Sequence, residues 1–526
     1  MRRPKWDSAY LARRVSGLIL VLLMAVGVRL AHAQPASPSR PNVLFIVSDD
    51  LNDDIGAWGH PIVQTPNLDH LAARGVRFLR AYTQYALCNP SRASFMTGLR
   101  PDTTGVYDLR THFRTNVPDV VTLPQMFRHA GYFAARVGKI YHYGVPSDIG
   151  TSGLDDPASW DVVVNPHGVD KDEEEPRLTF AGPSRALGSS LSYYASPAPD
   201  EAHTDGKVAT EAIRLLEQHK DAPFFLAVGF YRPHCPYIAP QKYFDLYPSL
   251  DDIPVAEYSD LLLRESPTAL HGIVWDVPEQ EQREAIRAYY AAISFMDAQV
   301  GRVLGALDRL GLADNTVVVF MSDHGYHLGD HGGLWMKQSL FERSTRTPVI
   351  VAGPAVAAKG QASRRIVELL DIYPTLAALT GVTPPAGLQG RSLAPLLRDP
   401  NTAWNFGALS EVRRPLASQS GRAAAGARQG APATSAAAGR RGGTGRGRGA
   451  VAVDQGYSLR TELYRYIEWN DRAGGEELFD EINDPGEVRN LAGETFYTDV
   501  LQRMRGLMAE ARASTPARAT ARGTRP

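Results

Sequence analysis

Between Pro41 and about Leu397 the chain alternates short apolar runs with longer segments of helical spacing, which signals an α/β domain built on a largely parallel sheet. Val43-Leu-Phe-Ile-Val47, Phe224-Phe-Leu-Ala-Val228, Val317-Val-Val-Phe-Met321 and Pro348-Val-Ile-Val-Ala352 read as its strands. Thr65-Pro66 opens a short helix as N-cap and first-turn residue; Leu68, Leu71 and Ala72 form its apolar face and Gly75 stops it. From Gln282 to Leu310, Ile286, Tyr289, Ile293, Met296, Val300, Val303 and Leu307 recur at helical spacing. No internal repeat is apparent.

The flanks differ from this body. Residues 1–33 read as an export signal: Arg2, Arg3, Lys5, Arg13 and Arg14 precede the apolar run Leu18–Val26, and Ala31-His32-Ala33 offers a small-x-small cleavage site. The run is short for a bilayer, so cleavage is expected over stable membrane insertion, giving a periplasmic or secreted protein after a linker at 34–40. Residues 411–455 are rich in Arg, Gly and Ala and read as a disordered insertion. Its Gly-Arg alternation resembles an RNA-binding tract, but the expected export and a net charge of −1 argue against a nucleic-acid partner. Beyond it, Tyr457–Trp469 alternates like antiparallel strands, and a helix follows around Val500–Ala511, so 456–512 reads as a small subdomain before a basic tail at 513–526. The first 33 residues hold six basic and one acidic residue, so their loss takes the charge to −6. Setting aside the eight Arg of 413–449 leaves about −14 on the body.

Two strands end alike, in Ser48-Asp49-Asp50 and in Ser322-Asp323-His324. In open α/β sheets ligands gather beyond the carboxyl ends of strands, so adjacent strands would bring three carboxylates and an imidazole together. Carboxylates that close repel unless a cation sits among them. The oxygen-rich set suits Ca²⁺ or Mg²⁺, and the His leaves Zn²⁺ or Mn²⁺ open. A local loop at Asp50–Asp54 fails the EF-hand pattern, with Ile55 where Gly is needed and Pro61 where the bidentate Glu belongs. The chain has only two Cys. Cys88, near Arg92, is on residues alone either an activated thiol or a buried structural one. Cys235 reads as a small packed thiol, and His327, Asp330 and His331 as a polar loop or one side of a cleft.

Cys88-Asn-Pro-Ser-Arg92, extended by Thr97-Gly98, resembles the signature of type I sulfatases, whose Cys is oxidised to formylglycine after synthesis. The resemblance spans Asn42 to about Leu397 and Gly456 to Ala492, and points to the iduronate-2-sulfatase-like branch. That branch's segments stand in order: Asp49-Asp50, Cys88, Gly138-Lys139-Ile140-Tyr141-His142, Arg232-Pro233-His234, Ser322-Asp323-His324-Gly325 and Trp335-Met336-Lys337. Many sulfatases carry Asn where His324 stands; His is typical of this branch.

The resemblance implies an alkaline-phosphatase-like α/β domain over 41–400, with a mostly parallel central sheet flanked by helices, and a smaller C-terminal α+β subdomain with a small antiparallel sheet. It implies that Asp49, Asp50, Asp323, His324 and the formylglycine made from Cys88 bind Ca²⁺. Arg92 is expected to hold the hydrated aldehyde, and Lys139, His142, His234 and Lys337 to surround the sulfate. The implied reaction is attack by the formylglycine hydrate on sulfur, with Ca²⁺ assistance, releasing sulfate from a sulfated sugar; His142 or His234 protonates the leaving alcohol. A formylglycine-generating maturation enzyme is the implied partner. Two other readings are a phosphate or phosphonate ester hydrolase of the same superfamily and a catalytically silent calcium-dependent binder of sulfated glycans.

Overall fold

The computed structural model describes residues 40–173, 175–256, 266–270, 273–415 and 453–514. The expected signal peptide, most of the expected insertion and nearly all of the basic tail lie outside the described residues. No helix among the described residues is long and apolar enough to cross a membrane.

The strands in chain order begin with β1 (Asn42–Asp49), β2 (Gly75–Tyr82), β3 (Phe133–Gly138), β4 (Val162–Val164), β5 (Thr179–Ala181), β6 (Leu191–Ser196), β7 (Phe224–Pro233) and β8 (Tyr237–Pro240). They continue with β9 (Thr316–Ser322), β10 (His327–Leu328), β11 (Trp335–Met336), β12 (Arg346–Ala352), β13 (Ala362–Glu368), β14 (Ala408–Pro415), β15 (Val453–Arg460), β16 (Tyr464–Trp469) and β17 (Glu476–Asp480). The longer helices are α1 (Pro66–Arg74), α2 (Cys88–Thr97), α3 (Thr204–His219), α4 (Glu279–Arg309), α5 (Ile372–Thr380) and α6 (Thr498–Ala513).

Eight strands form the central sheet in the order β13-β2-β12-β9-β1-β7-β3-β4. From β9 to β4 all neighbours are parallel. The run Pro348–Ala352 lies in β12, which is antiparallel to both β2 and β9. Its ladder to β2 shifts register between Thr347 and Val349, where Pro348 has no N–H to donate.

Both sheet faces are covered, which is why β1 is apolar at every position from Val43 to Val47 rather than alternating. Leu44 and Ile46 point into a core shared with α1, α3 and α4, whereas Val43, Phe45 and Val47 point into one shared with α2 and α5. Thr65 does occupy the N-cap of α1, but its hydroxyl makes no cap bond; it donates to Asp69 and accepts from the Gly56 N–H instead.

The C-terminal subdomain is the antiparallel sheet β14-β15-β16-β17. One face packs on α6 through Leu459, Tyr466, Leu478, Leu501, Met504 and Met508. The other packs Val412, Ile467 and Trp469 against Tyr85 and Leu87, directly before Cys88. Strand pairing corrects the edges of the expected insertion: Arg413 lies opposite Gln455 and Arg414 opposite Asp454. A ladder partner forty residues away orders these residues whatever their composition. Six Arg therefore remain in 416–452, and the charge outside the signal and that segment is about −12 rather than −14.

Candidate active site

Strands β9, β1, β7 and β3 are consecutive and parallel, so their carboxyl ends open on one place. Ser48 and Ser322 are in register, which sets Asp49-Asp50 beside Asp323-His324 as the paired endings suggest. The end of β7 delivers Arg232-Pro233-His234, and that of β3 delivers Lys139. Helix α2 starts at Cys88, so the thiol sits at the positive end of a fully buried helix with Arg92 one turn below it.

The expected residues form one buried cluster. Cys88 Sγ lies 3.4 Å from His324 Nε2 and 3.8 Å from Asp50 Oδ1. Arg92 spans two carboxylates, with Nε donating to Asp323 and Nη2 to Asp49, each at 2.9 Å. Its Nη1 donates to the carbonyls of Lys139 and Ile140. Lys139 Nζ donates to Asp49 Oδ2 at 2.5 Å, and Lys337 Nζ to both oxygens of Asp50 at 2.5 and 2.6 Å. His234 Nε2 stands 3.6 Å from Asp50 Oδ2. His142 bonds to Cys88, and its buried Nδ1 has no partner among the described residues.

The electrostatics follow from burial and crowding. Burial alone would raise the Cys88 thiol, but Lys337, Lys139 and His324 bring it well below its ordinary value. Burial opposes ionisation of Asp49 too, yet Lys139 and Arg92 hold it well below the usual carboxylate range. Burial, with Asp49 alongside, outweighs Arg92 and pushes Asp323 up to about 7. Such a carboxylate is short of positive charge.

That shortage, and the donor chemistry, fit a divalent cation. Ligand atoms of Asp49, Asp50, Cys88 and His234 lie within 4.8 Å of one another, as do those of Cys88, Asp323 and His324. His324 Nδ1 donates to the Gly325 carbonyl at 2.9 Å, which turns Nε2 toward the cluster, where it would ligate a cation once its proton is displaced. Three carboxylate groups with one imidazole suit a hard cation.

Other residues support this cluster in ways their motifs do not reveal. Arg232, one residue of the Arg-Pro-His segment, does not enter it: its guanidinium bonds Asp170 and the carbonyls of His234, Pro236 and Ile238, and so fixes the turn that carries His234. Ser91 donates to the Asp323 carbonyl, and Tyr289 to that of Asp50. Asp53 and Asp54 turn away to Arg343 and Arg346. Cys235 is a buried free thiol.

Comparison with known proteins agrees with this geometry. Residues 41–382 match the Sulfatase family model. The chain is 34% identical to iduronate 2-sulfatase of Mus musculus over 71% of this chain and 74% of that protein. It is 32% identical to a sulfatase of Formosa agariphila over 90% and 87% of the two chains. A crystal structure of phosphonate monoester hydrolase of Agrobacterium radiobacter superposes with a TM-score of 0.70 at 25% identity, covering 91% of this chain and 96% of that one. The chain thus belongs to the sulfatase family, as a type I enzyme related to the iduronate 2-sulfatases that hydrolyses sulfate esters.

Proposed function

We propose that this sulfatase releases sulfate from a sulfated sugar, with Cys88 converted to formylglycine by a maturation enzyme and Ca²⁺ held by Asp49, Asp50, Asp323, His324 and the modified Cys88. The observation that carries the reading is the position of Cys88, first residue of a buried helix, ringed by Lys139, Lys337 and the Arg92-braced carboxylates. A hydrated formylglycine supplies a hydroxyl nucleophile and a second hydroxyl through which sulfate can be expelled. Ca²⁺ supplies fixed positive charge where the sulfuryl oxygens accumulate negative charge.

The protein's own groups do the rest. Lys139 and Lys337 are buried cations that stabilise the developing oxyanions in a site sheltered from water. Arg92 holds Asp49 and Asp323 in place, and so positions the metal ligands as well as the nucleophile. His142 and His234 are the two imidazoles available to protonate the leaving alkoxide. A sulfated uronate or related sugar is the favoured substrate, because the mouse relative named for iduronate matches over most of both chains. Residues 1–33 direct export and are removed, and 41–400 form the catalytic domain.

The test is mass spectrometry of the Cys88 peptide from a host with the maturation enzyme, beside calcium analysis and assays on sulfated sugars. An aldehyde-bearing peptide in an active, calcium-containing preparation supports the reading; a fully unmodified peptide in an active preparation overturns it. The likeness to a phosphonate monoester hydrolase favours one second reading. Faster hydrolysis of phosphonate monoesters than of sulfates would establish it.

A further inference from the structure

Lys337 reaches Asp50 from a short segment that has little regular structure to hold it. It directly follows the two-residue strand β11, which pairs with the equally short β10. Its neighbours Met336 and Gln338 both adopt left-handed backbone, with φ of 69° and 75°, which a non-glycine residue holds only when its surroundings enforce it. One restraint is the Gln338 N–H, which donates to the Ala86 carbonyl two residues before Cys88.

The other is a three-residue relay. The Asp330 carboxylate accepts from His327 Nδ1. With its proton on Nδ1, His327 Nε2 is an acceptor, and the Ser339 hydroxyl lies 2.5 Å away to donate to it. The Ser339 oxygen in turn accepts from the Phe341 N–H at 3.3 Å. One tautomer satisfies every bond. His331 Nδ1, 3.4 Å from Asp330, and Arg343 Nε, 3.6 Å from it, anchor the far end. The Ser-His-Asp order is that of a nucleophilic triad, but Ser339 and His327 are each only 1% exposed, so no substrate reaches the hydroxyl. What the relay does reach is the backbone on either side of Lys337: His327 lies opposite Met336 in the ladder, and Ser339 is two residues beyond Lys337.

We propose that His327 is a positioning residue for Lys337: through Ser339 and Asp330 it closes the hairpin that aims the Lys337 ammonium at the anion-binding centre. This rests on the sulfatase reading of that centre.

The test is a double-mutant cycle on the full chain with Ca²⁺ present, read as the dissociation constant of inorganic sulfate and as kcat/KM. His327→Ala weakens sulfate binding and kcat/KM by about 10–100-fold in the wild-type background. In the Lys337→Ala background the same change alters sulfate binding by no more than about twofold, because the group it positions is gone. Ser339→Ala behaves alike and serves if His327→Ala does not fold. Equal costs in both backgrounds, or no cost in either, overturn the proposal while the wild type still binds and releases sulfate. A wild type that does neither overturns the functional reading and this proposal together.

Discussion

At the scale of single residues the site is a matter of charge placed where water is absent. Cys88→Ser should keep the fold, since the thiol is buried beside polar groups that a hydroxyl also satisfies, yet lose turnover. Sustained wild-type-like activity from it would refute the formylglycine scheme. The two imidazoles can be told apart by leaving group. A sulfate ester of an acidic phenol needs no proton donor, so alanine at the general acid spares its hydrolysis while slowing an alkyl sulfate by about 10²–10⁴-fold. Whichever of His142→Ala and His234→Ala shows that split in parallel assays is the acid; equal loss on both esters marks a residue with another role. The residues of the centre were legible because each belongs to a short local motif at the end of an element. Arg232 and Ser91 stand inside those motifs and Ser339 just beyond one, but their roles were not legible, because their work is to bond partners far away in sequence or backbone carbonyls, and such bonds leave no local pattern.

At the scale of elements, the site exists because four parallel strands end together and two of them approach unusually closely. A Cβ on Gly229 of β7 would lie 2.0 Å from the Lys139 carbonyl oxygen, and Gly138 of β3 has φ of +75° with its own Cβ position 2.1 Å from the Gly229 oxygen. Gly229→Ala must therefore displace the residue that carries the Lys139 ammonium. It is expected to cost about 1–3 kcal/mol in thermal or denaturant unfolding. It should also lower kcat by up to about 100-fold through misplacement of that cation. Arg232→Met breaks a buried ion pair with Asp170 and is expected to cost about 3–5 kcal/mol by the same unfolding measurements. The strand and helix positions were readable from apolar runs and helical spacing. The direction of β12 was not, since five consecutive apolar residues fit either orientation and the neighbour decides.

At the scale of the whole molecule, the catalytic body and the C-terminal sheet share a buried charge network. Glu342 pairs with Arg460 and Arg465, which also hold Glu481 and Glu487. Burial, reinforced by Glu342 and Glu487, outweighs the arginines and raises Glu481 from 4.5 to about 8. A raised folded-state value for an acid means that, between these limits, the folded form holds a proton the unfolded form has lost, so stability falls as pH rises from about 4.5 to 8. Glu481→Gln should flatten that part of the melting-temperature profile and raise the melting point at the alkaline end; an unchanged slope would show that Glu481 is ionised in the fold. The same sheet also tests the Arg/Gly-rich segment. Pro415 and Val453 face each other across the β14–β15 ladder, so a turn of about two to five residues can join them. Replacing 416–452 by such a turn shortens the connection about seven- to eighteenfold and lowers the entropic cost of closure by about 2–3 kcal/mol. The excised protein should melt at or above the wild-type temperature and keep kcat/KM within about twofold, since no residue placed in the centre belongs to the segment. A larger loss of kcat/KM with an intact melt would instead assign the segment a part in substrate binding, through its six Arg and lack of acidic residues.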